Sequence, residues 1–293
     1  MAEQGIRKIA FRINYDGRLF SGLVNQENTR TVGGVLLQAL DGLIAGNRLH
    51  YAGRTDRGVS ATGMVISFTA FSRIPQQILD EDYAVLEYFD TREYNYDAMV
   101  NRKLPRDVKV TGWTPVPPDF DARFSCIYRG YKYYFINDGL DLSRMENECK
   151  KLLLLKNFKS LCKKSEARRY RRNNWEWDDN YYNKGVMNVR LSHVSDSLWA
   201  LEVESKSFLH HMVRKMHWVV EWVGLGNPSI VDRLLNGEDV ECGLSPAENL
   251  IFCKAVYNEN LRFLQTQNYK KILYEEWKEG RIKNEMQYLM LKE

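Results

Sequence analysis

The sequence predicts a mixed α/β fold (α/β or α+β), with helices covering one face of mixed sheets, and three observations carry that expectation. Over residues 8–14, Ile9, Phe11 and Ile13 alternate with Lys8, Arg12 and Asn14, the period of a half-buried strand. Beyond a turn at "YDGRLFSG", Val32, Val35, Leu36, Ala39, Leu40, Leu43 and Ile44 recur at helical spacing, from Thr31 as N-cap to Gly46 as stop. The second half of the chain returns to the same mixture of strands and helices, the pattern of layered α/β proteins.

The remaining elements follow in order. The segment "YAGRTDRGVSATG" is too rich in glycine and charge for a good helix or strand and reads as a loop, and "MVISFTAF" behind it reads as a second strand. Residues 78–104 predict a helix interrupted by a Tyr- and Asp-rich stretch. The prolines of "VKVTGWTPVPPDFDARF" place a domain boundary there, dividing the chain into 1–112 and 113–293. Residues 128–136 predict a strand, "ENECKKLLLLKNF" a helix, and 187–194 with 198–205 a hairpin turning at Asp196. A helix over 209–223 would bury Leu209, Met212, Val213, Met216, Val219, Val220 and Val223 on one face. The last forty residues read as terminal helix.

Composition bounds the function. With 293 residues, 44% of them hydrophobic, the chain can bury a substantial core. The net charge of +4 is compatible with a polyanionic partner but does not demand one. Cys126, Cys149, Cys162, Cys242 and Cys253 are odd in number and never spaced as Cys-x-x-Cys, which argues against a disulfide framework and for a reducing compartment. The start has no apolar signal core, and the longest aliphatic run, 152–155, is far too short for a bilayer, so a soluble cytoplasmic protein is expected, with no membrane partner.

Four constellations carry chemistry. In "GRTDRG", Gly53 and Gly58 permit backbone angles closed to other residues, and Arg54 and Arg57 flank Asp56; a solvated turn is the plain reading. Two guanidiniums that hold a carboxylate ionised would instead prepare a nucleophile. In "FLHHMVRKMH", helical spacing aligns His210, Arg214 and His217 along the border of the buried stripe, with His211 outward. That is a core edge or a positive stripe facing an anionic substrate. No carboxylate or cysteine stands at ligand spacing and "HExxH" is absent, so no metal is predicted. In "RGYKYYF", Tyr131, Tyr133 and Phe135 share one strand face, as core or, for one ring beside a site, as a platform for a base. In "KKSEARRYRR", Lys163, Lys164, Arg168, Arg169, Arg171 and Arg172 surround one acid, with Tyr170, Trp175 and Trp177 nearby. Such a run is either a solvated loop or a set of phosphate contacts with stacking.

Taken in order, "YDGRLFSG", "AGRTDRGV", "ARFSCIYRGYKYYF", "FLHHMVRKM" and "SPAENL" resemble the motifs of the TruA family of tRNA pseudouridine synthases. The resemblance runs from about residue 14 to residue 250. It implies the pseudouridine synthase fold, two mixed-sheet domains meeting in a basic cleft, a homodimer, and a tRNA partner bound at its anticodon arm. It also implies isomerisation of uridine to pseudouridine without a small-molecule cofactor or metal.

By the same resemblance Asp56 is the nucleophile. Tyr131 lies against the base and is a candidate for accepting the C5 proton, and Arg214 pairs with the aspartate. Arg54 fills the space left by the flipped nucleotide, and Leu250 walls the pocket. Arg57, His210, His211, Lys163, Lys164, Arg168 and Arg169 are the expected further RNA contacts. Departures from the family pattern are Leu23 in place of an aromatic residue, Ser60 in place of His and Asn249 in place of Gly, all expected to touch RNA contacts more than the chemical residues. The rival reading is a non-catalytic RNA-binding protein or chaperone, for which a carboxylate in a basic, phosphate-facing cleft would serve no purpose.

Overall fold

A computed structural model describes residues 5–163, 168–171, 174–177 and 180–265. Along the chain the strands are β1 (Gly5–Tyr15), β2 (His50–Tyr51), β3 (Ser60–Ser72), β4 (Glu87–Tyr88), β5 (Thr91–Arg92), β6 (Val108–Pro115), β7 (Cys126–Ile136), β8 (Arg168–Arg171), β9 (Asn174–Trp177), β10 (Val186–Ser195), β11 (Leu198–Ser205) and β12 (Leu250–Tyr257). The helices are α1 (Val32–Ala39), α2 (Gln76–Glu81), α3 (Tyr96–Asn101), α4 (Leu142–Leu152), α5 (Met212–Gly224) and α6 (Ile230–Leu235).

Strands β4–β5 and β8–β9 form separate two-stranded sheets, and the other eight strands build one large mixed sheet, ordered β10-β11-β7-β12-β3-β1-β6, with β2 added beside β3. Every pairing in it is antiparallel except that of β12 with β3, where Ile251 faces Ser60 and Phe252 faces Ala61. That short parallel seam joins the two halves of the chain. The start of β3 thereby lies beside the start of β12, and β7 lies on the other side of β12. The 112/113 division falls inside β6, which pairs with β1 from Val108 to Pro115.

The alternation read for β1 holds: Ile9, Phe11 and Ile13 are buried, and Phe11 meets Phe68 of β3 edge to face. Thr31 caps α1 by accepting from the Gly34 N–H, satisfying one of the orphan donors of a helix start. The helix stops at Ala39 rather than reaching Ile44; Leu40 and Leu43 still enter the core from the turn that follows. Residues 78–104 are not one interrupted helix: they form α2, the hairpin β4–β5 and α3. This insertion is tied to β1 by the buried Arg7–Glu93 pair, 2.8 Å apart.

The proline-containing stretch is likewise a strand over Val108–Pro115, with its prolines at or beyond the end, where no ladder N–H is needed. The hairpin β10–β11 turns at Asp196 as expected, with φ +41°. Helices α4 and α5 cover the C-terminal half of the sheet. They approach so closely that a Cβ on Gly224 would lie 2.7 Å from the Met145 sulfur. Among the described residues no helix is long and apolar enough to cross a membrane. The terminal-helix expectation lies outside the described residues.

Candidate active site

The GRTD loop lies between β2 and β3, at the parallel seam, and its shape is set by residues far away in sequence. Tyr15 at the end of β1 hydrogen-bonds through its hydroxyl to Thr55 Oγ1 at 2.6 Å, with both residues buried. Leu23 N–H donates to the Thr55 carbonyl, and Arg129 Nε donates to the Ala52 carbonyl at 2.8 Å. Gly17 abuts the loop's exit, where a Cβ would sit 2.0 Å from the Val59 carbonyl oxygen, so the Tyr-Asp-Gly turn packs there only with glycine. Gly58 has φ +85° and does need the freedom expected of it. Gly53 does not: it is small because a Cβ would approach the Phe252 ring to 3.3 Å.

Asp56 projects from this loop into a cleft of about 650 Å³, within the range of ligand pockets. Tyr131, Leu250, Arg214, His210 and His211 line the same cleft. Tyr131 is 8% exposed, and its ring meets Phe208 and Phe252 edge to face. Burial, then the charge of Asp56, pushes its phenol well above the ordinary value, so the hydroxyl keeps its proton near neutrality. Leu250 is buried at the start of β12 and closes one wall. A second groove of about 700 Å³, along Arg12, Asn14 and Lys254, contains none of the expected site residues.

The histidines are placed differently from the helical reading. Helix α5 begins at Met212, not Leu209, and His211 is its N-terminal flanking residue with φ +67°. His210 and His211 therefore lie in a turn, where helical spacing says nothing of their direction, and both reach Asp56. His210 Nε2 is 3.1 Å from Asp56 Oδ1 and His211 Nε2 is 3.8 Å from Asp56 Oδ2. Burial foremost, then the neighbouring His210, lowers His211 to about 4, so its ring is neutral at pH 7. His217, aligned with them by spacing, is instead in the core: it is 2% exposed, stacked 3.9 Å from Tyr133, and bonded through Nδ1 to Ser245 Oγ at 2.9 Å. Burial lowers it to about 3, so its 3.8 Å approach to Glu221 is no ion pair at neutral pH.

The arginines also depart from expectation. Arg54 and Arg57 are exposed, and neither comes within ion-pairing distance of Asp56, although Arg54 lines the same cleft. The pairing implied for Arg214 is not made either. Its Nε donates to the Ser245 carbonyl at 2.6 Å, which anchors the guanidinium in the cleft wall against the "SPAENL" segment.

Lys163 is exposed and its backbone N–H donates to the His210 carbonyl at 2.9 Å, so the basic stretch starts beside the histidine turn. Arg168 and Arg169 fall on β8, paired with β9; their side chains and Lys164 lie outside the described residues.

A carboxylate does accompany the histidines, supplied by the fold and not by spacing. Ligand atoms of Asp56, His210 and His211 all lie within 4.8 Å of one another, an oxygen-and-nitrogen set of the kind that holds zinc. Sequence reasoning missed the loop's supports. Tyr15, Arg129 and Ser245 stand inside motifs that had been recognised, but nothing in a linear pattern says which carbonyl each one holds. Of the three departures from the family pattern, Leu23 is fully buried and Ser60 Oγ accepts from Gly17 N–H, whereas Asn249 is exposed and its backbone carbonyl, which any residue would supply, accepts from Tyr134 N–H.

A mixed α/β fold with an aspartate loop, a buried tyrosine and a wall leucine converging on one cleft has the arrangement of a pseudouridine synthase. A family model described as tRNA pseudouridine synthase matches residues 155–258. The chain is 32% identical to the tRNA pseudouridine synthase A of Pyrococcus horikoshii over 85% of each chain. It is 32% identical to that of Thermus thermophilus over 87% of this chain and 98% of that one. It is also 31% identical to the tRNA pseudouridine(38/39) synthase of Homo sapiens over 98% of its own length, spanning 64% of the human protein. The chain belongs to the TruA family of tRNA pseudouridine synthases.

Proposed function

We propose that this protein isomerises uridine to pseudouridine in the anticodon arm of tRNA, with Asp56 as nucleophile. The observation that supports this most directly is the placement of Asp56. A carboxylate with 32% of its side chain exposed faces Tyr131 and Leu250 across a cleft floored with apolar groups, on a loop buttressed from three directions. Names of relatives support the substrate class.

In the proposed reaction the target uridine leaves its stack, because the glycosidic bond of a paired base cannot reach the floor of a cleft. Asp56 attacks C1′ as the N1–C1′ bond breaks and the electron pair leaves with N1. The freed base turns, C5 attacks C1′ and displaces the Asp56 carboxylate, the C5 proton departs and N1 gains a proton. Product and substrate have the same atoms, so the balance requires no oxidant, water or group donor.

Tyr131 lies against the base. Its raised pKa makes it a hydrogen-bond donor near neutrality; as acceptor of the C5 proton it would have to pass its own proton on, and Asp56 and neutral His211 line the same cleft to receive it. Arg214, held by Ser245, presents positive charge from the cleft wall, and Arg54, exposed where it lines the cleft, is available to occupy the vacated position in the stem. Lys163 and the strand carrying Arg168 and Arg169 extend the phosphate-binding surface. Homodimerisation and a cytoplasmic location belong to the same proposal, and light scattering of the purified chain tests the former.

The test is a pseudouridine assay on unmodified tRNA transcript, by carbodiimide labelling and primer extension, with wild type and Asp56→Ala, in the presence and absence of chelator. Stops in the anticodon arm that need Asp56 and persist in chelator are expected. Tight tRNA binding without stops from either protein would replace the proposal with a binding role.

A further inference from the structure

The cleft has a rim as well as a floor, and its rim carries an aromatic ring that neither the core nor the proposed chemistry uses. Phe124 is 81% exposed and lines the cleft that contains Asp56. A single exposed phenylalanine on a floppy loop would mean nothing. In this loop each residue from Asp121 to Ser125 has its backbone N–H hydrogen-bonded.

Asp121 accepts from the N–H groups of Arg123 at 2.7 Å and Phe124 at 3.1 Å, while its carbonyl accepts from Ser125 N–H and its own N–H donates to Ser125 Oγ. The Asp121 carboxylate is also paired with His50. Ala122, fully buried, donates to Ser67 Oγ and accepts from the Tyr257 hydroxyl. Arg129, whose Nε holds the catalytic loop at Ala52, donates from the same guanidinium to the Arg123 carbonyl. One side chain thus fixes the Asp56 loop and the Phe124 loop relative to each other. The segment spends about eight hydrogen bonds on presenting a ring to solvent. Phe89 is as exposed but does not line this cleft.

Arg123 completes the arrangement. Its guanidinium sits over the Phe124 ring, 5.6 Å from the centroid, so an aromatic surface and a phosphate-binding cation leave the rim together. Aromatic rings stack on bases of any identity, and a neighbouring guanidinium takes the backbone. The cleft needs such a contact: when one nucleotide is withdrawn from a stem, its neighbour loses a stacking partner.

We propose that Phe124, with Arg123, is a second nucleobase subsite, which stacks on the base flanking the target uridine once the target has entered the cleft. This rests on the tRNA reading above, but its test reads binding separately from product.

The experiment is a cycle of two changes: Phe124→Ala in the full chain, and an abasic nucleotide immediately 5′ or, in a second transcript, 3′ of the modified uridine. Dissociation constants, KM and kcat are measured for all combinations. Phe124→Ala is expected to raise Kd and KM on intact tRNA by about 5- to 100-fold, the scale of one stacked base, with kcat within about two-fold of wild type. On one of the two abasic transcripts the same substitution should cost nothing more, because the partner is already gone. Phe124→Trp should restore binding, and Phe124→Leu, which keeps apolar area without a π-face, should not.

Equal affinity of wild type and Phe124→Ala for intact tRNA would overturn the proposal. So would additive losses on both abasic transcripts, or rescue by leucine, which would make the ring an apolar contact. If no protein forms pseudouridine, the catalytic reading fails while the Kd cycle still decides the subsite. An unchanged circular dichroism spectrum and melting temperature exclude misfolding of the variants.

Discussion

Two carboxylates of this protein, Glu93 and Asp56, show how the same functional group is made structural in one place and available in another. Glu93 is almost wholly enclosed and receives Arg7 at 2.8 Å, Ser72 Oγ, and the N–H groups of Arg73 and Tyr94. Burial would raise its pKa, but these donors outweigh burial and hold it below the usual range. Asp56 is part-exposed, with two histidines as the titratable neighbours within 4.0 Å and no arginine at that distance. A carboxylate surrounded by donors has no lone pair left to react. Asp56, beside a neutral histidine and facing an open cleft, is left accessible, and hydrogen bonds around it go to the loop's backbone instead.

The largest expected effect therefore separates the two sites by readout. Asp56→Asn should lower pseudouridine formation by about 10⁴-fold or more, as loss of a covalent nucleophile does, while leaving the urea midpoint at or slightly above wild type. Measured together, a lost activity with a lowered midpoint would mean that Asp56 is structural after all. Glu93→Gln should do the reverse. It strips the charge from a pair whose side chains are 1% and 2% exposed and leaves a buried guanidinium unpaired, which costs about 3–5 kcal/mol in urea unfolding. Activity per folded molecule at low temperature should stay near wild type, because Glu93 binds the insertion to β1 and not the cleft.

Acid sharpens the contrast between the structural groups. Glu93, lowered in the folded state, stabilises at pH above the unfolded carboxylate range, and that contribution is lost as pH falls through it. His217 has a folded value of about 3 against 6.5 unfolded, so below pH 6.5 the unfolded chain takes up a proton that the folded chain refuses. Stability should thus start falling near pH 6.5, before carboxylates titrate, by about 2 kcal/mol between pH 7 and pH 5 from His217, with His211 adding to it. In His217→Asn the early part of that decline should shrink. A wild-type urea midpoint that is flat from pH 7 to pH 5 would show that His217 is not held neutral.

How much of this could be read from the sequence follows a physical line. Strands with alternating apolar residues, the Thr31 cap and the Asp196 hairpin were legible because local periodicity and turn chemistry decide them. The length of α1, the split of residues 78–104 and the strand at the prolines were not, since sheet pairing overrode local signals there. Asp56, Tyr131 and Leu250 were legible through motifs, and the fold does bring them to one cleft. The electrostatic partners were not: sequence adjacency suggested Arg54 and Arg57, whereas a left-handed residue at His211 turns two histidines onto Asp56. A backbone angle of that kind, and the seam that sets β12 against β3, leave no periodic trace.

The smallest predicted effect lies where scaffold and site meet, at the hydrogen bond between Tyr15 and Thr55. Both hydroxyls are buried, so Tyr15→Phe and Thr55→Val each leave one partner unsatisfied and should cost about 1–2 kcal/mol in urea unfolding. The double variant removes both polar groups and should cost less than the sum of the singles, since nothing unsatisfied remains. Turnover should behave otherwise. The bond holds the residue next to Asp56, so kcat should drop in both single variants and stay down in the double, by about 10-fold, with KM for tRNA little changed. Recovery of stability without recovery of kcat would identify the bond as a positioning device for the Asp56 loop. If kcat recovered with stability, the Tyr-Asp-Gly turn would belong to the same class as Glu93, a contact that holds the fold and leaves the chemistry to the cleft.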